Sequence, residues 1–369
     1  MKVDWGRVAK GKNRFYLGVI VICLLLQFFI GIVQSNPHWV EQYYSRGFYP
    51  KFSFLSIILF SWLPFSVGDL MYGMVVVLFV VLLYRGISAL FRKKWQDAVC
   101  RTIQLVALIT FLYTFFYVNW GLNYFRVPLA DQIGLDVKSI SIEDYAQVIE
   151  KYIGITNDLR DSLALNGRER RGVGKDLQEW MRQDTVFKDM LCHSQIHGKS
   201  PLSSTIISYF SVSGYFNPFT LEAHVNQRIP LVSYPFVNVH ELAHQMGVGF
   251  EDECNFIAFR KLMDHPNAWY RYSAYYEATQ YLIYPLYTVD KQRYEKYRHM
   301  LSPKVRQDLE EERAFWRQYR SWINRLSNLF YDQYLMHNNQ PEGMERYSMM
   351  ARLVVAWEKQ QGNLTTQVD

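Results

Sequence analysis

The stretch VNVHELAHQMGVGFEDECNF, residues 237–256, carries the strongest functional pattern in the chain. It contains two histidines four positions apart, His240 and His244, and Glu241 directly follows the first. Residues four apart lie on the same face of an α-helix, so both imidazoles can be directed at one ion. With the intervening glutamate this is the HExxH pattern of zinc hydrolases, in which the glutamate is the general base. The stretch therefore predicts a metal site with His240 and His244 as ligands and Glu241 as the catalytic residue.

The third ligand is sought after the first helix, since a catalytic zinc ion takes three protein ligands and keeps one position open for solvent. Gly247 predicts the end of that helix, because glycine is common just past a helix C-terminus. The segment EDECNFIAFRKLM then begins a second helix, in which Glu251 and Glu253 are both candidates. Glu251 shares a helix face with Asn255 and apolar residues, whereas Glu253 shares one with charged residues. Glu251 is therefore the preferred ligand, and Asn255 is a candidate to orient a ligand from behind.

Two further segments predict groups that contact a substrate. Hydrolysis of a peptide bond needs a hydrogen-bond donor for the developing oxyanion, and the segment RYSAYY offers Tyr272 and Tyr275. Aromatic packing is the competing interpretation in a chain with 27 tyrosines. The segment YFNPFTLEAHVN predicts a strand whose edge binds an extended peptide, with Phe219, Thr220 and Asn226 as candidate contacts. A core hairpin is the alternative interpretation of that segment.

The combination of HExxH with a downstream EDECN resembles the gluzincin branch of zinc peptidases. In that branch the first glutamate of an ExxAN or ExxAD helix is the third zinc ligand, and Glu251 occupies the matching position. Membrane-bound prenyl-protein and stress peptidases share this pattern. The chain departs from it at Cys254, where alanine is usual, and in the shorter interval between His244 and Glu251. The resemblance implies one zinc ion (Zn2+) per chain, and a water activated by the metal and deprotonated by Glu241.

A second resemblance covers nearly the whole chain. The segments LPFSVGDLMY, NWGLNYFR, YFNPFTLEAHVN, HELAHQMG and EDECNF are similar to those of a bacterial multi-pass membrane family described as a domain of unknown function. This resemblance implies that the metal-binding segment and the apolar N-terminal third belong to one membrane protein.

The first third of the chain contains three apolar runs that predict transmembrane helices. A bilayer crossing needs about 20 apolar residues, and the runs are Phe15–Val33, Leu70–Tyr84 and Val106–Trp120, the last extended back to about Thr102. A fourth apolar segment, Phe52–Leu63, is too short to cross and is followed by Pro64. We interpret it as an interfacial or re-entrant helix.

The distribution of basic residues predicts the orientation in the membrane. Residues 1–14 and 85–101 hold ten of the 40 Lys and Arg residues and two of the 34 Asp and Glu residues, whereas residues 34–69 hold only Arg46 and Lys51 as basic residues. Positive segments stay on the cytoplasmic side, so the N-terminus is expected inside the cell and the metal-binding region outside. The net charge of +6 is thus a topology signal. No basic stripe with interleaved aromatic residues is present, so nucleic acid is not an expected partner.

Together these patterns predict a mostly helical α+β protein, with N-terminal transmembrane helices followed by a zincin-like metallopeptidase domain. Residues 1–118 would form a membrane anchor with three transmembrane helices and a short interfacial or re-entrant helix, and residues 119–369 an extracytoplasmic domain. The stretch of residues 204–235, rich in β-branched and aromatic residues, predicts two or three short strands. Helical patterns follow to the end, including one long pattern from Ser302 to Leu335.

The predicted function is that of a zinc-dependent metallopeptidase of the cell membrane, acting on peptide or protein substrates in the cell envelope and in contact with membrane lipid. The alternative is a non-catalytic envelope scaffold or receptor in which a zinc ion only braces the fold.

Overall fold

The computed structural model describes residues 12–364, apart from residues 166, 184–186, 188–195, 344–345 and 347–348. Lys2, Arg7 and Lys10, which contribute to the predicted orientation, lie outside the described residues.

The described chain is mostly helical and contains one small sheet, as predicted. The principal helices are α1 (Lys12–Gln34), α2 (Tyr49–Ser61), α3 (Val67–Phe91), α4 (Trp95–Asn119), α5 (Ile142–Ser162), α6 (Val173–Arg182), α7 (Ser204–Tyr209), α8 (Tyr234–Gln245), α9 (Glu251–Leu262), α10 (Ala268–Ile283), α11 (Lys291–Met300), α12 (Pro303–Arg317), α13 (Trp322–His337) and α14 (Met350–Gln360). The strands are β1 (Gly198–Lys199), β2 (Gly214–Asn217) and β3 (Glu222–Val225). Shorter helical segments are Pro37–Trp39, a π-helix at Val40–Phe48, a 3₁₀-helix at Gly121–Phe125, Leu129–Ile133 and Leu286–Val289.

Three helices are long and apolar enough to cross a membrane: Asn13–Gln34, Val67–Phe91 and Trp95–Asn119. In the most apolar 18-residue segment of each helix, only 11% of the residues are buried within the protein, so most of the apolar side chains face outward. The three predicted apolar runs are thereby confirmed as helices. Each helix is longer than its apolar run because polar flanking residues continue the same hydrogen-bonding pattern.

Helix α2 has 13 residues and is about 20 Å long at 1.5 Å per residue, less than the roughly 30 Å of a hydrocarbon core. Both of its ends contact the region that carries the HExxH segment. At the start, the Tyr49 hydroxyl donates to the Gln245 carbonyl at 2.6 Å. Near the end, the Lys199 ammonium donates to the Phe60 carbonyl at 2.6 Å. Helix α2 therefore begins and ends on the same side of the three long helices.

The sheet has the order β1-β3-β2, with β1 parallel and β2 antiparallel to the central strand β3. The prediction of strands is wrong for residues 204–209, which form α7. The Ser203 hydroxyl accepts a hydrogen bond from the Ile206 backbone amide at 3.2 Å and caps this helix. Such a cap favours a helical turn over a strand even where β-branched residues follow.

The long pattern from Ser302 to Leu335 forms two helices rather than one. Helix α12 ends at Arg317 and α13 begins at Trp322. At the start of α13 the Ser321 backbone amide donates to Asn324 Oδ1 at 3.0 Å, and this side-chain cap of a free amide marks the start of a new helix.

Helix α8 lies at the centre of the metal-binding region, and all twelve of its residues are buried. It packs between the sheet on one side and α6, α9 and α10 on the other. A helix that is buried all round must have every polar side chain paired or functional. Since α8 carries Asn238, His240, Glu241, His244 and Gln245, the hydrogen bonds of these five residues define the candidate site.

Candidate metal centre

The end of α8 is built by a glycine, as the sequence predicts. Gly247 has φ +91°, a conformation that only glycine adopts readily. The Val248 amide donates to the Ala243 carbonyl at 3.2 Å, and the Gly247 amide donates to the His244 carbonyl at 3.0 Å. This pairing is the Schellman pattern of helix C-termini. It reverses the chain within a few residues, so that α9 begins at Glu251.

Gly249 allows this reversal to pass close to another part of the backbone. A Cβ atom at position 249 would lie 2.9 Å from the Asn123 carbonyl oxygen, closer than real Cβ atoms come. The short turn brings the first residue of α9 back towards α8. The interval between His244 and Glu251, although shorter than in the gluzincins, is therefore sufficient.

His240, His244 and Glu251 are buried and converge. Their ligand atoms all lie within 4.8 Å of one another. Glu251 Oε2 is 3.2 Å from His240 Nε2 and 3.4 Å from His244 Nε2. These three side chains form a group that could hold a metal ion.

Both imidazoles are held with Nε2 towards this group. His240 Nδ1 is 2.8 Å from Asn255 Oδ1, and His244 Nδ1 is 2.8 Å from the Val248 carbonyl oxygen. An oxygen acceptor at Nδ1 fixes the proton there, so that Nε2 carries the lone pair that a metal ligand needs. Asn255 thus occupies the orienting position that the sequence predicts for it.

The two acidic candidates for the third ligand point in different directions. Glu251 Oε1 accepts from the Tyr331 hydroxyl at 2.9 Å, while Oε2 accepts no hydrogen bond from any described residue. Although burial opposes its charged form, the neighbouring imidazoles hold the pKa of Glu251 well below its usual range. Glu253 Oε1 instead accepts from the Leu129 amide at 2.7 Å. A buried carboxylate oxygen that faces two imidazole nitrogens and lacks a donor fits a metal ion, so Glu251 completes the group.

Glu241 lies beside the histidines and faces the same space. Burial raises the pKa of its carboxyl group to about 7, and the nearby imidazoles partly oppose this shift. Glu241 Oε2 has no hydrogen-bond partner among the described residues. A carboxylate with a pKa near neutrality and a free oxygen is suited to accepting and returning a proton.

A cleft of about 400 Å³ leads to this group, and its lining includes His240, Glu241, His244 and Glu251. Strand β2 and the residues before it form one wall, and α13 forms the opposite wall through Ser327, Asn328, Tyr331 and Tyr334. Among the described strands β2 is at the edge of the sheet and pairs with β3, and its residues Gly214, Tyr215 and Phe216 line the cleft.

The membrane-proximal segments contact the metal-binding helix directly. The Trp120 indole donates to the His244 carbonyl at 3.1 Å, and Arg126 Nη1 donates to the Gly247 carbonyl at 2.7 Å. Arg126 also forms two hydrogen bonds with the Glu41 carboxylate, at 2.7 and 2.8 Å. The end of α8 is therefore fixed by residues that precede it by more than 100 positions.

Tyr272 and Tyr275, predicted as oxyanion donors, lie outside the cleft lining. The Tyr272 hydroxyl donates to Asp308 Oδ2 at 2.6 Å. Tyr275 is buried and packs edge-on against Tyr152 and Phe259. Both side chains thus have packing partners away from the metal group, and the tyrosines that line the cleft are Tyr124, Tyr215, Tyr331 and Tyr334.

The three candidate substrate contacts are also placed elsewhere. Phe219 packs against aromatic rings of α3 and α4, including Tyr72 and Phe115. The Thr220 hydroxyl donates to Glu222 Oε2 at 2.8 Å, and the Asn226 amide donates to Ser208 Oγ at 2.9 Å. The residues of this region of the chain that line the cleft are Gly214, Tyr215 and Phe216 of β2, together with Pro218.

Sequence reasoning did not identify Tyr331 or Gly214. Tyr331 is 80 positions from Glu251 and is one of 27 tyrosines, so no local pattern marks it. A Cβ atom at position 214 would lie 2.6 Å from Glu241 Oε1, so glycine is required there for the glutamate to keep its position. Trp120 and Tyr124 belong to the segment NWGLNYFR, which marks the family resemblance but gives no role to either residue.

Comparison with known proteins places the chain in a family without assigning an activity. No curated protein matches it, and no solved structure does. One family profile matches residues 44–355, which include α3, α4 and the metal centre. Since this match covers most of the chain, the protein belongs to the family described as "Protein of unknown function (DUF3810)".

Proposed function

We propose that the protein is a membrane-anchored zinc-dependent metallopeptidase. The observation that carries this proposal is the convergence of His240, His244 and Glu251 at the end of an open cleft that Glu241 also lines. Two imidazoles and one carboxylate are the ligands of zinc hydrolases such as thermolysin.

Different residues of the chain would have different roles in the reaction. His240, His244 and Glu251 would hold the ion, and a zinc ion bound there would polarise a carbonyl group and lower the pKa of water. Glu241 would accept a proton from the attacking water and deliver it to the leaving amine. Asn255 Oδ1 would accept a hydrogen bond from His240 Nδ1 and so keep His240 Nε2 directed at the ion.

Strand β2 would bind the substrate as an added strand. It is an edge strand among the described strands, its residues line the cleft, and Gly214 lies against Glu241. A peptide that pairs with this edge places its backbone beside the general base and gains main-chain hydrogen bonds without strong sequence preference.

The open side of the group favours a hydrolase over a bracing zinc site. Structural zinc sites are closed by four protein ligands, whereas only three converge here among the described residues. Among the described cysteines, Cys254 has its Sγ 3.3 Å from His244 Nδ1, the nitrogen that does not face the group. The three side chains line the cleft, where a substrate can reach them.

The basic loop between α3 and α4 supports an extracytoplasmic location of this site. Arg85, Arg92, Lys93, Lys94 and Arg101 lie at the ends of these two helices that are remote from the metal centre. By the positive-inside rule that end is cytoplasmic, so the substrates are peptides or proteins of the cell envelope.

The test compares Glu241→Gln with Glu251→Ala in purified full-length protein. We expect the wild type to contain one zinc ion per chain and to cleave peptides from a mixed library. Glu241→Gln should keep its zinc and lose cleavage by at least about 100-fold, the range for a general base. Glu251→Ala should lose zinc, whereas the control Glu253→Gln should retain it because Glu253 faces the Leu129 amide.

Three results would count against the proposal. If the purified wild-type protein contains no zinc, the proposed metal centre is wrong. Retention of full cleavage by Glu241→Gln would remove its role as the base, and a zinc-loaded protein with no hydrolase activity on any peptide would favour the bracing role.

A further inference from the structure

Helix α13 has the reverse of the polarity expected for a surface helix. Its only buried residue is Leu335. The large apolar side chains on its outer side are exposed: Trp322 by 69%, Leu329 by 59% and Phe330 by 67%, together with Leu326 and Met336. At 3.6 residues per turn these five positions share an arc of about 120°.

The opposite face of α13 is polar and borders the metal cleft. Ser327, Asn328 and Tyr331 line the cleft, and Tyr331 binds Glu251. A helix of a soluble protein turns its apolar face inward and its polar face to water. Helix α13 does the opposite, so its outer face requires an apolar environment.

The C-terminal end of α13 is attached to a membrane-spanning helix. The Tyr113 hydroxyl lies 3.0 Å from His337 Nε2, and the Tyr117 hydroxyl donates to Asn338 Oδ1 at 3.1 Å. Tyr113 precedes Asn119, the end of α4, by six residues, or about 9 Å along the helix. Helices that lie in a membrane interface bury their apolar face about 5–10 Å deep. The attachment therefore places the apolar face of α13 at the level of the bilayer surface.

The other wall of the cleft mouth is similarly apolar. Leu202, Ile206 and Phe210, in and beside α7, are exposed. The Leu202 amide donates to Asp69 Oδ2 at 2.8 Å, at the start of the membrane helix α3. Phe210 lines the cleft together with Asn328 of α13. Both walls thus carry exposed apolar side chains beside the ends of membrane helices.

We infer that α13 lies in the bilayer interface and that the metal cleft opens at the membrane surface. The occupant of the apolar face of α13 is membrane lipid, because this face continues the lipid-facing surface of α4. If the proposed peptidase function holds, on which this second step rests, the substrates are polypeptide segments that emerge from the bilayer or lie on it.

Photocrosslinking of the full-length protein in phosphatidylcholine–phosphatidylglycerol vesicles tests the location of α13. Benzoylphenylalanine replaces Phe330 on the outer face, Asn328 on the cleft face, or Leu25, an exposed residue in α1 that serves as a lipid-facing control. We expect lipid adducts at positions 330 and 25 and none at 328. Adducts between position 330 and a second copy or another protein would overturn the inference, as would lipid adducts at position 25 alone.

The cleavage arm compares one peptide in two forms, free in solution and tethered to vesicles by an acyl chain. Phe330→Glu should reduce cleavage of the tethered form by about tenfold, the effect of 1.4 kcal/mol of lost lipid contact, and leave cleavage of the free form unchanged. Gln361→Glu, which adds the same charge at an exposed position outside α13, should change neither.

The two proposals fail separately in these experiments. If the wild type cleaves neither form while position 330 labels lipid, the peptidase function is wrong and the membrane location stands. If Phe330→Glu cleaves both forms as the wild type does, the entry of substrate from the membrane is wrong and the peptidase function stands.

Discussion

At the residue scale, the candidate site depends on which nitrogen or oxygen of each side chain is already paired. Asn255 and the Val248 carbonyl occupy the Nδ1 atoms of the two histidines, and Tyr331 occupies one oxygen of Glu251. The remaining atoms, two Nε2 and one Oε2, are those that converge. Removing a hydrogen-bond partner from the atom of a ligand that does not face the metal commonly lowers metal affinity by about 10–100-fold.

Gly214→Ala should impair catalysis without loss of zinc. The new methyl group would lie 2.6 Å from Glu241 Oε1 and 2.7 Å from its Cγ, so the carboxylate must move; the three atoms nearest to the methyl group all belong to Glu241 and none to a metal ligand. We expect kcat to fall by at least about tenfold, since small displacements of a catalytic group have such effects. The control is Gly174→Ala, whose Cβ would make only an ordinary 3.6 Å contact. Measurement of kcat and zinc content for both variants checks this, and unchanged turnover in Gly214→Ala would contradict it.

At the element scale, the sheet is joined to the start of α3 by a buried ion pair. Glu222 accepts hydrogen bonds from the Lys199 ammonium at 2.7 Å and from the Gly68 amide at 2.6 Å. The same ammonium donates to the Phe60 carbonyl near the end of α2. A carboxylate at a helix N-terminus satisfies otherwise unpaired amides and interacts favourably with the helix dipole. Glu222 therefore connects the sheet with two N-terminal helices.

Glu222→Gln should lower stability at neutral pH and lose this effect in acid. Burial by itself would raise the pKa of Glu222, but the hydrogen bonds from Lys199 and Gly68 lower it below its usual value. A carboxyl group with a lowered folded-state pKa stabilises the protein above its unfolded pKa of about 4.3 and loses this contribution as the pH falls further. We expect the melting temperature of Glu222→Gln to be lower than that of wild type at pH 7 and to approach it below about pH 4.

Thermal unfolding of the detergent-solubilised protein at pH 7 and pH 3.5 measures this difference. The exposed Glu143 provides the control, because Glu143→Gln should change the melting temperature little at either pH. A difference between Glu222→Gln and wild type that is equal at both pH values would contradict the role of the ion pair.

At the scale of the whole molecule, the segments beside the candidate membrane helices and the candidate metal centre are joined by direct contacts. Tyr49 binds the Gln245 carbonyl, and Glu41 forms a buried ion pair with Arg126, which also binds the Gly247 carbonyl. Both N-terminal partners come from the segment between the first two spans. The family match, which covers residues 44–355, likewise includes two of the three spans as well as the metal centre.

The chain shortened to residues 119–369 should therefore fail to form the metal centre. It lacks Glu41, and removing one partner of a buried ion pair costs about 3–5 kcal/mol, a large part of the stability of a typical domain. It also lacks Tyr49, which packs against the turn at Gly247. We expect the shortened chain to be aggregated or to bind much less than one zinc ion, measured by metal analysis and gel filtration beside the full-length protein. A monomeric shortened chain with one tightly bound zinc ion would show instead that residues 119–369 fold independently.

The sequence by itself determined the features that depend on neighbouring residues. The spacing of His240 and His244 places both on one face of a helix, Gly247 ends that helix, and Glu251 lies one turn before Asn255 on the next helix. Glu251 and Glu253 are both buried, so the inward-facing criterion alone does not separate them. The three long helices follow from the length of their apolar runs. Each of these depends on helical periodicity or local composition, which are readable without knowledge of distant contacts.

Only the tertiary structure decided which distant residues complete the site and how the cleft is oriented. Tyr331 binds Glu251 from 80 positions away, and Trp120 binds the His244 carbonyl from more than 100 positions away. Gly214 lies against Glu241, 27 positions later in the chain. The helical pattern of α13 predicts a helix but does not reveal that its polar side faces the cleft and its apolar side faces outward. That polarity is visible only in the folded protein, because the position of α13 beside α4 shows which of its faces is exposed and which borders the cleft.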